Sequence, residues 1–111
     1  MKFPIVHLSF LPASGMAIFP FVLIKYAKLE ADRQIINHEL IHLRQQIELL
    51  IIPFFMLYLL NYLFNLIRYR NHDRAYRNII FEREAYCNDS NYSYLSNRKF
   101  ATWIKYLRKN H

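Results

Sequence analysis

His38 and His42 stand four residues apart, with Glu39 directly after the first. This spacing constrains the fold more than any other feature of the chain. On a helix, positions i and i+4 lie one above the other on the same face. Two imidazoles placed this way can reach one metal ion, with Glu39 set to one side of it. A zinc ion in a reactive site takes three protein ligands and leaves one position for water. A chain that uses this pair must therefore bring a third ligand back from elsewhere to the histidine helix.

The remaining sequence favours helices for that task. The chain has 111 residues, one domain's worth, of which 54% are hydrophobic and 17% aromatic. That is enough apolar matter for a core, and it excludes a disordered chain. Gly15 is the only glycine, which is poor for a turn-rich β fold or a phosphate-cradling loop. Cys87 is the only cysteine, so no internal disulfide can form and a reducing compartment is the simplest reading.

The expected fold is mainly α in a single domain, 1–111. Residues 1–28 form an extended segment, in which 3–11 and 16–25 read as a hairpin or two extended strands joined by Pro12–Gly15. Pro20 suits an edge position. A helical core spans 32–91. Asp32 is placed to cap a helix from Arg33 to about Ile51 that carries both histidines. Pro53 should kink or break that helix. Residues 54–68 read as an apolar helix, 69–73 as a turn and 74–91 as a further helix. A basic amphipathic helix is expected over 97–109, with Phe100, Trp103, Ile104 and Leu107 on one face.

Candidates for the third ligand are Glu82, Glu84, His72, Asp89 and Cys87. The stretch from Phe81 to Asp89 is the richest source. Glu84, Cys87 and Asn88 share one helix face, and Glu82 lies about 200° around the helix from Glu84. Only one of the two glutamates can face the histidines.

His38-Glu39-Leu40-Ile41-His42, followed by Glu84-Ala85-Tyr86-Cys87-Asn88, resembles the gluzincin pattern. It is similar in particular to the membrane-associated peptidases of BlaR type and HtpX/Ste24 type, in which H-E-x-x-H is followed by E-x-x-A-D or E-x-x-C-D. The resemblance implies His38, His42 and Glu84 as ligands of Zn2+, and Glu39 as the general base. It implies a peptide or protein substrate, hydrolysed by a zinc-activated water. Cys87 would be a small residue packed on the histidine helix. Asn88 stands where those families have Asp, with Asp89 one step later, so either could hold a ligand histidine from behind. Tyr76, His72 and Tyr86 are open as donors to a developing oxyanion. An extended substrate would pair with an edge strand from residues 16–25.

The formal charge of +7 points to an anionic partner. Residues 49–67 make 19 positions without a formal charge, long enough to cross a bilayer. Arg68, Arg70, Arg74 and Arg77 follow and would place that end, with the metal site, on the cytoplasmic side. A straight span, however, carries the chain about 28 Å from the histidines. The highly charged 68–83 segment would have to return through hydrocarbon. The expectation is therefore a protein associated with an anionic membrane surface, monotopic or partly embedded, or else a compact cytoplasmic fold. A zinc-binding membrane protein without turnover is the first rival reading. A basic nucleic-acid module built on 98–109 and Arg68–Arg77 is the second, and the chain carries no recognised nucleic-acid motif.

Overall fold

A computed structural model describes residues 3–107. Three short strands open the chain: β1 (Ile5–His7), β2 (Gly15–Ile18) and β3 (Phe21–Ile24). The sheet order is β1-β3-β2, with β3 parallel to β1 and antiparallel to β2. The hairpin therefore lies within 15–24 rather than between 3–11 and 16–25. Pro20, which has no N–H for a ladder, sits in the turn after a cis Phe19–Pro20 bond. Both β1 and β2 are edges.

Helix α1 (Arg33–Leu49) follows, and Asp32 caps it by accepting from the amides of Gln34 and Ile35. Its two broad faces do different work. Ile36, Leu40 and Leu43, at spacings of four and three, pack on Ala17, Val22 and Ile24 of the sheet. His38 and His42 lie about 200° from Ile36 and Leu40, on the opposite side.

The helix ends at Leu50, which takes a positive φ of 63°, and α2 (Ile51–Tyr69) begins at once. Pro53 falls in the first turn of α2, where its missing N–H costs nothing. The break thus precedes the proline. Arg70 then turns left-handed and Asn71 caps α3 (His72–Arg77).

The expected helix over 74–91 is two helices, α3 and α4 (Ile80–Asn88), separated at Asn78–Ile79. Ile79 is extended there and fully buried, joining Phe54 and Phe81 in a second core cluster. Asn61 accepts from the freed Ile80 amide at 2.8 Å. Truncating Phe54 to Ala would cost this cluster about 3–5 kcal/mol.

The expected helix over 97–109 is not continuous. A short α5 (Tyr94–Asn97) gives way to extended Arg98, Ala101 has φ 57°, and a 3-10 segment runs over Thr102–Leu107. Arg98 is drawn into the interior by two carboxylates, which a surface helix would not allow. Arg108 and Lys109 lie outside the described residues. The fold class holds: mainly helical with a small N-terminal sheet.

Candidate metal site

α1 and α4 face each other across three side chains. His38 and His42 present Nε2 to the same atom, Oε1 of Glu82, each at 3.0 Å. All three are buried, and their ligand atoms fall within 4.8 Å of one another. Two zinc–ligand bonds of ~2.1 Å at a tetrahedral angle separate their donors by ~3.4 Å, so the cluster is close to the right size for one ion.

The protons sharpen this fit. Nδ1 of His38 lies 2.9 Å from Asp89 Oδ2, and Nδ1 of His42 lies 2.9 Å from Gln45 Oε1. Gln45 uses its Nε2 to donate to Phe81 O and Glu84 Oε1, so its oxygen is the end that meets His42. Both acceptors demand an N–H at Nδ1. A neutral imidazole then carries a lone pair at Nε2, and two lone pairs converge on a carboxylate oxygen. His42 Nε2 is buried without a hydrogen-bond partner among the described residues, although Glu82 is near. Such a cluster needs a cation, proton or metal, at its centre. Burial pulls His42 down, but Glu82 outweighs it and pushes the imidazole up to about 9. Glu82 is held well below the carboxylate range, its burial overcome by His42 and His38. Tyr58 on α2 donates to Glu82 Oε2 at 2.5 Å and fixes that carboxylate.

The carboxylate that meets the histidines is thus Glu82, and the implied ligand Glu84 points the other way. Glu84 accepts from Arg98, from Tyr94 at 2.7 Å and from Gln45 at 2.9 Å. It lies two bonds behind His42, steadying Gln45. The partner behind His38 is Asp89, and Gln34 Nε2 donates to its other oxygen at 2.9 Å. Asn88 does not touch an imidazole; its Nδ2 donates to Glu84 O and to Tyr106 Oη. Asn37, one residue before His38, donates to the carbonyls of Asn88, Asp89 and Asn91. That satisfies the end of α4 and locks Asp89 in place.

Glu39 is buried beside the cluster, where desolvation pushes its carboxyl up against the lowering pull of His42 and His38. A Cβ at Gly15 would lie 3.1 Å from Glu39 Oε2, so the only glycine leaves room for this group. Lys25 N donates to Ser14 O. By ladder alternation Gly15 and Ala17 then turn their backbone groups toward the open edge of β2. Gln46 occupies the Ala17 carbonyl at 2.7 Å.

Of the three possible oxyanion donors, two reach the site. Tyr86 packs edge-on to His38 with ring centres 4.5 Å apart, and Tyr76 lies near enough to Glu82 that burial and that carboxylate's charge push its phenol up. His72 is exposed and bonded to Tyr62 at 2.8 Å. Cys87 is exposed rather than packed on α1.

Gln45, Tyr58, Gln34 and Asn37 carry site roles that motif reading did not assign. Helical spacing marks two of them, since Gln34 and Gln45 flank the histidines on their face. Glu82 shares its side of α4 with Ala85, which is fully buried, and with Asp89 two turns on. No protein-family model, curated protein or solved structure matches the chain.

Proposed function

We propose that the chain is a zinc-dependent peptidase of gluzincin type, with His38, His42 and Glu82 as ligands and Glu39 as general base. The observation that carries this reading is the convergence of two Nε2 lone pairs on one carboxylate oxygen, with both Nδ1 protons held from behind. When bound, zinc would supply Lewis acidity toward a water and a peptide carbonyl.

The chain's own residues would do the rest. Asp89 and Gln45 keep each imidazole in the tautomer that frees Nε2. Glu39 would take a proton from the attacking water and return it to the leaving amine. Tyr86 and Tyr76 are the phenols near enough to donate to the developing oxyanion. The outward N–H and C=O of Gly15 would pair with an extended substrate beside Glu39.

Replacing Glu39 with Gln tests the reading. Zinc content should stay stoichiometric while cleavage of a peptide library falls by about 10²–10⁴-fold. Undiminished cleavage would remove Glu39 as base. The burial of all three donors and of Glu39 favours one second reading, a zinc site that holds the fold without turnover. Zinc-loaded protein that cleaves nothing in the library, yet loses its fold on chelation, would establish it.

A further inference from the structure

α2 is built inside out. Its inward stripe is Phe54, Tyr58, Asn61, Tyr62, Asn65 and Tyr69, at helical spacing. Most of the stripe's polar atoms are spent on the domain: Tyr58 on Glu82, Asn61 on the Ile80 amide, Tyr62 on His72 and Asn65 on the Ala75 carbonyl. The outward face is apolar. Ile52 is 72% exposed, Met56 60%, Leu60 60%, Phe64 62% and Ile67 78%. The helix has a mean hydropathy of 1.5 over 18 residues, of which only 11% are buried. A surface helix in water shows the reverse pattern. The apolar surface also continues beyond α2. A groove of about 380 Å³ joins Leu57, Leu60 and Phe64 to Trp103 and Leu107 of the 3-10 segment.

The charge at the end of this face selects its occupant. Arg68, Arg70, Arg74 and Arg77 are all exposed immediately after the apolar run. With a formal +7 on each chain, a second copy would be repelled, whereas anionic headgroups would be attracted. The covered side of α2 fixes the orientation. Tyr58, near mid-helix, touches the buried Glu82 cluster, and α3 with its arginines packs along α2. A helix standing across the bilayer would drag those charges into hydrocarbon.

We infer that the outward face of α2 is a lipid-contact surface, lying along the interface of an anionic bilayer with Arg68, Arg70 and Arg74 among the headgroups. This inference stands on the surface alone and does not depend on the peptidase reading.

The full chain, exchanged from detergent, is tested against phosphatidylcholine vesicles with and without phosphatidylserine. Wild-type protein should sediment with the anionic vesicles. Combined Met56→Gln, Leu60→Gln and Phe64→Gln should weaken partitioning by about tenfold or more. Helix content should be unchanged, because these side chains face outward. Combined Arg68→Gln, Arg70→Gln and Arg74→Gln should erase the preference for phosphatidylserine, about fivefold for each arginine. Nitroxides placed by Ile52→Cys, Leu60→Cys or Ile67→Cys, each with Cys87→Ser, should report similar shallow depths. Undiminished binding of the triple-Gln variant, a stable dimer that ignores vesicles, or a Leu60→Cys label far deeper than the other two would each overturn the inference.

Discussion

Glu82 and Glu84 stand two residues apart on α4, both buried, and the protein treats them in opposite ways. On the Glu84 side it supplies its own cation. The Arg98 side chain is fully buried between Glu84 and Glu48, and Tyr94 and Gln45 add hydrogen bonds. Burial would raise the Glu84 carboxyl, and these bonds outweigh it and hold the group below its ordinary value. On the Glu82 side the described residues supply lone pairs, tautomer locks and the Tyr58 phenol. One side of α4 is closed by an arginine of the chain, whereas the other takes a proton or a metal ion at its centre. A buried carboxylate is thus not in itself a candidate metal ligand; what faces it decides.

The largest way to break this contrast is to remove the internal cation. Arg98→Met leaves two buried carboxylates unpaired and should cost about 3–5 kcal/mol in urea unfolding. Zinc should still bind under native conditions, because nothing at the His38–His42 face has changed. A variant that keeps full stability would show that Arg98 does not close the Glu84 side.

Asp89→Asn tests the other side. It keeps the shape but weakens the acceptor behind His38, and zinc affinity should fall by about 10–100-fold. Asn88→Ala, one residue earlier, should leave affinity unchanged in the same competition titration with a chelator. Equal losses in both would move the support of His38 elsewhere.

Acid separates the sides again. A carboxyl held low in the folded state contributes stability that is present above its unfolded value near 4.5. That stability is lost as pH falls through the folded value. The stability gap between wild type and Glu84→Gln should therefore be widest near neutrality and shrink below that value. A gap that grows on acidification would reverse the assigned shift.

The smallest effect concerns Gly15. Gly15→Ala brings a methyl to 3.1 Å of Glu39 Oε2. It should lower kcat about tenfold, through displacement of the base, and leave zinc affinity intact. Loss of zinc instead would mean that the strand, not the base, had moved.

Much of this was legible beforehand. The H-E-x-x-H spacing, the Asp32 cap and the apolar run each rest on local rules, and the helices formed where those rules placed them. Helical period also said that only one of Glu82 and Glu84 could face the histidines. Which one depends on how α4 is rotated, and that is set by distant partners. Ile79 is pulled into contact with Phe54 and Phe81, and Arg98 arrives from beyond α5 to claim Glu84. Neither event leaves a trace in a window around Glu82. The same holds for Asp89, which reaches His38 only because Asn37 gathers the carbonyls at the end of α4. Local periodicity therefore gave the faces of each helix, and long-range ion pairing chose between them.

Zinc titration of two single variants puts the central claim at most risk. Glu82→Gln should abolish stoichiometric zinc binding, and Glu84→Gln, measured where it remains folded, should bind one zinc as wild type does. Zinc retained by Glu82→Gln and lost by folded Glu84→Gln would contradict the account and return the third ligand to Glu84.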